Sequence, residues 1–408
     1  MTAAMSEPLS EADLLARVAR LEEMRNALAA EHAEAVLAFA RAHAASRTAS
    51  GTVEPEALER SIAAQVGLAC RVSPHDGRRR VRIARDLHAG HDRVRALFAA
   101  GELSDYKVAT IVAATAHLDP AERAQVDEEL AERKVETLGV RRIHDLARSL
   151  AAAAAPDKFT RRCRAARSDR RVSIRRAADG MADLTAHLPV EQAVACYAAL
   201  VKAADELAVR PEPLTRGRGQ VIADTLVERV TGQALAGAVN VEVQIVVPVE
   251  ALLDPTTQQP AEVPGHGPLP TDLVSDLLTT AAGRKAWRRL VTRDGIVIGG
   301  DSRQRSFTGF LASLLRARDG HRCREPFCDA PIRHIDHIRR WADGGSTTFD
   351  NGRGLCAFHN HVRETPEWSV EARNGSIVTT TPTGHFYTSD IRATTGRPST
   401  PRNQPDAA

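Results

Sequence analysis

A chain of 408 residues is longer than one small module and suits two domains plus connectors, at about 150 residues per domain. Its net charge of +3 is compatible with a nucleic-acid partner without establishing one. Of six cysteines, Cys70, Cys163 and Cys196 are scattered without a pairing pattern, which argues against a disulfide framework. No basic-then-apolar leader opens the sequence and no run approaches the roughly 20 apolar residues of a membrane span, so a soluble cytoplasmic protein is expected.

From Glu11 to about Ala45, Leu14, Val18, Leu21, Met24 and Leu28 recur at three- and four-residue steps. That period predicts an amphipathic helix whose apolar face meets the core or forms a homodimer. After Pro55 a second helix carries Leu58, Ile62, Val66 and Ala69 on one face, and Val72-Ser73-Pro74 breaks it before a basic helix. The outline resembles a helix-turn-helix, with Val81, Ala84 and Leu87 inward and Arg78, Arg79, Arg80, Arg82 and Arg85 free for phosphates. A solvated basic face on one helix of a bundle has the same pattern.

Helices are predicted over Val94–Ala99, Ser104–Ala116, Pro120–Lys134 and Val140–Ala155, with Asp119-Pro120 supplying a cap and a first-turn proline. Eight arginines between Arg161 and Arg176 flank a strand at Val172–Ile174, which turns at Asp179-Gly180 and returns through Leu184–Leu188 as a hairpin. Further helices are expected over Pro189–Leu207 and Arg218–Thr231, then a strand over Val239–Val249. Asp254–Pro270 is rich in Pro, Gln, Thr and Gly and is assigned as a linker, followed by a short helix at Leu273–Thr280. Between Arg284 and Arg324, eleven Arg or Lys stand against three Asp, so a strongly basic stretch leads into the segment that begins at Cys323.

That segment carries the chemistry. Cys323 and Cys328 are separated by four residues, and Cys356 and His359 by two. Two short knuckles, each with a pair of soft ligands, are what a closed tetrahedral zinc site requires. Between them lie His334-Ile335-Asp336-His337, Gly344-Gly345 and Asp350-Asn351, which a plain zinc ribbon has no need of.

The order Cys-Cys, Asp-His, Gly-Gly, Asp-Asn, Cys-x-x-His resembles the zinc-containing HNH endonucleases. Together with the helical first half, the chain resembles the actinobacterial HNH proteins of the thirteen-E-twelve repeat family. The resemblance implies a mainly α N-terminal domain with a small β-hairpin element, then a small α+β module of ββα-metal type. It also implies Asp336 and Asn360 as ligands of a catalytic Mg²⁺ or Mn²⁺, and Asn351 as the residue bonding the loop that carries His337. Many such modules have His where this chain has Asn360, so the set is a His-Asn-Asn variant. Asn remains a feasible oxygen ligand for Mg²⁺.

His337 is the expected general base, because a neutral imidazole titrates near physiological pH. Arg333, Arg339 and Arg340 are expected phosphate contacts, and His334 and His361 stand in reserve. The expectation is a metal-dependent DNA endonuclease with a structural Zn²⁺ held by Cys323, Cys328, Cys356 and His359. The alternative is a zinc-stabilised DNA-binding protein whose nuclease site is impaired. The expected boundaries are a helical domain over 9–250, a connector over 251–315, the HNH module over 316–375 and a mostly disordered tail over 376–408.

Overall fold

The computed structural model describes residues 10–49, 54–208, 216–232, 305–373 and 375–390, together with 261–263, 267–270, 292–293, 296–297 and 301–302. Ala-rich segments punctuated by Ser, Asp and Pro form α1 (Glu11–Ala49), α2 (Pro55–Ala69), α3 (Pro74–Leu87), α4 (Asp92–Ala99), α5 (Asp105–Thr115), α6 (Pro120–Glu132) and α7 (Val140–Ala154). Several of their starts are capped by side chains. Ser73 Oγ accepts from the Asp76 N–H at 3.2 Å, and Asp119 and Glu122 form a reciprocal capping box on α6. Each such cap contributes about 1 kcal/mol.

Two apolar clusters hold this bundle. Val36, Leu37, Ile62, Val66 and Val81 join α1, α2 and α3, while Leu103, Val108, Ile111, Leu130 and Ile143 fill the space among α4 to α7 and their connecting turns. The α2–α3 pair is tight because Gly77 has no side chain: a Cβ there would stand 2.3 Å from the Ala63 carbonyl oxygen. As expected, Val81, Ala84 and Leu87 face inward. The arginines of α3 are less free than a DNA-reading helix needs. Arg85 pairs with Glu59 at 2.7 Å, Arg79 with Asp76 at 3.8 Å, and Arg78 lies over the Phe358 ring at 5.4 Å.

The face of α1 assigned to the core is not the buried one. Leu14, Val18, Leu21, Met24 and Leu28 are exposed, and Asn26, Ala30, Val36, Leu37 and Ala40 are buried instead. The cause is a close approach. Gly101 adopts φ +84, where a Cβ would sit 2.4 Å from the Glu23 carbonyl oxygen, and its own carbonyl accepts from Asn26 Nδ2 at 3.0 Å. A helix backbone brought this near must dock through small residues.

Helix α8 (Pro156–Ala166), not anticipated, precedes the expected hairpin of β1 (Arg171–Arg176) and β2 (Ala182–His187), which turns through Asp179 and Gly180 at positive φ. Helices α9 (Val190–Ala208) and α10 (Arg218–Thr231) come next. The strand expected at 239–249 and the helix at 273–280 lie outside the described residues. Within the connector, β3 (Ala261–Val263) pairs with β4 (Gly267–Leu269) and β5 (Thr292–Arg293) with β6 (Ile296–Val297). β7 (Asp301–Ser302) pairs forward in the chain, with β9 (Thr347–Thr348).

The expected boundary at 316 falls inside a helix that packs on the C-terminal module. Helix α11 (Gly309–Arg318) buries Leu311, Leu314 and Leu315 against Phe349, so its first turns belong to the module core. Then come β8 (His334–His337), β10 (Gly352–Leu355) and α12 (Ala357–Val362), the expected ββα arrangement, with Gly352 opposite His337 and Arg353 opposite Asp336.

The assignment of 376–408 to a mostly disordered tail is corrected over its first part. β11 (Ser369–Arg373), β12 (Ser376–Thr380) and β13 (Phe386–Asp390) form an antiparallel meander. Thr, Ser and Pro in that stretch resemble a tail in composition, but Ile377 and Thr379 alternate inward and are almost wholly buried. Beyond 390 the chain lies outside the described residues.

The helical half and the module share a seam. Ala64 and Leu68 of α2 pack with Val362 and Trp368, flanked by Phe358 and Tyr387. Trp368 Nε1 donates to Ser61 Oγ at 3.3 Å, Thr383 Oγ1 donates to Gln65 Oε1 at 2.8 Å, and Arg47 pairs with Glu367. Among the described residues no helix is long and apolar enough to cross a membrane.

Candidate metal centre and nuclease cleft

The first knuckle is shaped by its backbone. The Cys323 N–H donates to the Ala330 carbonyl at 2.8 Å, the Cys328 N–H to the Glu325 carbonyl at 3.2 Å, and Phe327 takes a left-handed φ of 61 between them. The second knuckle is a helix start: Cys356 is the N-cap of α12, and its Sγ accepts from the His359 N–H at 3.4 Å. Together they bring Cys323, Cys328, Cys356 and His359, all buried, within 4.8 Å of one another.

Cys323 Sγ lies 3.4 Å and Cys356 Sγ 3.5 Å from His359 Nδ1, and Cys328 Sγ lies 3.9 Å from Cys356 Sγ. A tetrahedron with Zn–S near 2.3 Å and Zn–N near 2.0 Å has edges of about 3.5 to 3.8 Å. The four donors therefore fit zinc, with the imidazole presenting Nδ1.

A cleft lies along β8. Its volume is about 460 Å³, and its lining includes Asp336 and His337, the rings of Phe307 and Trp341, and the arginines Arg305, Arg316, Arg333 and Arg340, against Glu364. Four guanidinium groups against two carboxylates, Asp336 and Glu364, suit a polyanion.

His337 is buried on this floor. Its Nε2 lies 2.9 Å from Thr347 Oγ1, and that hydroxyl donates to the Arg305 carbonyl at 3.2 Å. Because the hydroxyl proton is spent on the carbonyl, the oxygen accepts from Nε2–H, which leaves the lone pair on Nδ1. The Phe307 ring lies 4.5 Å from the imidazole, centroid to centroid. Burial holds the imidazole below its ordinary value; Asp336 opposes the shift, and Arg363 and Arg305 add to it. The ring is thus kept neutral at physiological pH.

Asn351 binds the loop that comes after His337. Its Oδ1 accepts from the Arg339 N–H at 2.9 Å, and its Nδ2 donates to the carbonyls of Arg339 and Ser346 at 3.1 and 2.7 Å. Gly345 lets this loop close: a Cβ there would stand 1.9 Å from the Arg339 carbonyl oxygen.

Asp336 is held from behind. Its Oδ2 faces Arg363 Nη1 at 2.7 Å and Arg353 Nε at 3.9 Å without an aligned hydrogen bond to either. Arg363 Nη2 also donates to the Ile338 carbonyl at 2.7 Å, and burial with Arg353 nearby presses its guanidinium down to about 10. Asn360 is half-buried, makes no side-chain hydrogen bond among the described residues, and does not line the cleft. Asp336 offers a hard oxygen donor of the kind that Mg²⁺ or Mn²⁺ takes.

Of the three arginines expected at phosphate, Arg333 and Arg340 line the cleft. Arg339 does not: its Nε donates to the Asp343 carbonyl at 3.0 Å, folding the side chain onto its own turn. His334 lines the cleft and is exposed, whereas His361 is exposed outside it. Thr347, Arg305, Phe307, Trp341 and Arg363 were not anticipated. Only Arg363 had a local signal, being one helical turn beyond Asn360.

A family model for a domain of unknown function, DUF222, matches residues 15–319. The chain belongs to the DUF222 family. A model of the HNH endonuclease matches residues 321–362, so this member carries an HNH domain after its DUF222 domain, and that match spans both knuckles, Asp336, His337 and Asn351. No curated protein and no solved structure matches the chain.

Proposed function

We propose that this DUF222 protein is a metal-dependent DNA endonuclease whose HNH module hydrolyses phosphodiester bonds. The observation that carries the reading is the state of His337: a buried neutral imidazole with Nε2 committed to Thr347 and Nδ1 left free, on the floor of an arginine-lined cleft.

In this reading Arg305, Arg316, Arg333 and Arg340 draw the phosphate backbone into the cleft. Thr347 holds the ring by its Nε2–H, so that Nδ1 is the nitrogen that accepts a proton from the attacking water and the ring becomes an imidazolium. Asn351 fixes the loop so that the imidazole does not swing. Asp336 and Asn360 would hold the divalent ion, which when bound supplies Lewis-acid stabilisation of charge on the phosphate and the leaving oxygen. The Zn²⁺ of the knuckles takes no part in the reaction and secures the fold.

One observation favours the alternative of a DNA-binding protein with an impaired site. The Asp336 carboxylate is already paired with Arg363, and the commoner histidine is replaced by Asn360. Purified protein on supercoiled plasmid with Mg²⁺, Mn²⁺ or EDTA decides between them. Cleavage with metal, absent in EDTA and lost in His337→Ala, supports the nuclease. Salt-sensitive binding with no cleavage under any ion supports the alternative.

A further inference from the structure

Among the described residues, nothing in the first four turns of α1 is buried. Residues 10–25 are exposed without exception, and Leu14, Leu15, Val18, Leu21, Met24 and Leu28 are each 48 to 70% accessible. Six large apolar side chains in fifteen residues form a surface that water disfavours strongly.

Their spacing is not that of a generic apolar face. Leu14, Val18, Leu21, Arg25 and Leu28 come at alternating steps of four and three, which is the d-a-d-a-d seam of a coiled coil. This seam lies about 140° round the helix from the face that Asn26, Ala30 and Leu37 bury against the body, at 100° per residue. The stripe is therefore presented outward by the same docking that fixes the helix direction.

We infer that α1 pairs with α1 of a second copy of this chain, as a parallel two-stranded coiled coil over residues 14–28. Val at an a position with Leu at each d position favours two parallel strands. The flanking charges agree: in a parallel pair Arg17, at g, faces Glu22 of the partner copy at the next e position, on both sides of the seam. An antiparallel pair centred on Leu21 would instead set Glu22 against Glu22. Arg25 occupies the second a position, and its Nη2 is bonded to Glu22 Oε1 of its own helix at 2.6 Å. A polar group at one a position costs stability and fixes register, because sliding by a heptad would place Arg25 against Val18.

The test is sedimentation of the full chain over a wide concentration range. Wild type is expected to reach twice the chain mass, and Leu21→Asp to remain monomeric with unchanged thermal melting, since Leu21 is exposed on the face turned away from the body. Arg17→Glu is expected to weaken the dimer several-fold, while Arg20→Glu, the same charge change on the outer face, leaves it unaltered. Val18→Cys should cross-link between copies in air, judged against wild type on a non-reducing gel. A monomeric wild type, a Leu21→Asp dimer or a Val18→Cys chain that does not cross-link would each overturn the proposal. So would protection of the stripe in a monomer, which would mean that another part of the same chain covers it. These readouts do not involve cleavage, so they stand apart from the nuclease reading.

Discussion

The zinc quartet and the cleft draw on the same stretch of chain, from Cys323 to Glu364, yet they are built on opposite terms. Every donor of the quartet turns toward the other three and away from water. In the cleft, Nδ1 of His337 is left uncommitted, and Asp336 Oδ2, although it faces Arg363, has no aligned hydrogen bond. The difference teaches that, on the proposed reading, holding and reacting fall to separate side chains only a few residues apart. Stability should then respond to one set and turnover to the other.

The sharpest way to break that separation is at the quartet. Cys356→Ser should release zinc and melt the module as a cooperative unit, because apparent structural-zinc affinities in small domains are worth about 10 kcal/mol or more. Elemental analysis with calorimetry reads both outcomes at once. If the module keeps its melting transition without zinc, the quartet is not what holds it.

His337→Ala should act on the other side of the comparison. Cleavage is expected to fall roughly 10²- to 10⁴-fold with zinc content and DNA affinity preserved. The wild-type rate should be flat near neutrality and decline only as pH drops below the ordinary imidazole value of 6.5, because the lowered His337 pKa keeps the base deprotonated further into acid. A decline that starts above that value would show that burial does not set the base.

Thr347→Val keeps the shape of the site but removes the acceptor for Nε2–H. A buried donor left unpaired costs about 1 to 3 kcal/mol, so cleavage should fall about tenfold or more while zinc is retained. Rescue by Ser, which restores the hydroxyl, would tie the loss to the hydrogen bond and not to packing.

The smallest effect expected concerns the seam. Ser61→Ala removes the acceptor for the Trp368 indole and should cost about 1 kcal/mol, read as a lower melting temperature for the module although the change lies in the helical half. A melt that moves only the helical transition would show that the two halves are energetically independent.

The parts legible in the sequence are those with short-range grammar. Knuckle spacing identifies the quartet, caps and prolines place most helix starts within two residues, and Asp-Gly marks the hairpin turn. Asn351 is read through the family resemblance, and the bonds it makes reach only five to twelve residues away. Thr347 and Arg305 cannot, because their connection to His337 is created by β9 lying beside β7 across more than forty residues. The seam is invisible for the same reason, since Trp368 and Ser61 are 307 residues apart. The misplaced face of α1 has another cause. Periodicity weighs large side chains, whereas the docked face is made largely of Asn and Ala, which leave no strong apolar signal.

Helix α12 has only six residues, and its successive positions face different neighbours. Phe358 lies under Arg78, His359 joins the quartet, Val362 meets α2, and Arg363 just beyond it reaches Asp336. A single inserted residue would turn everything after it by about 100° and exchange all of these assignments together. A substitution along this segment disturbs one of these assignments, whereas a change of length disturbs all of them, so natural variation in chain length should fall in the loops on either side and spare the stretch from Cys356 to Arg363.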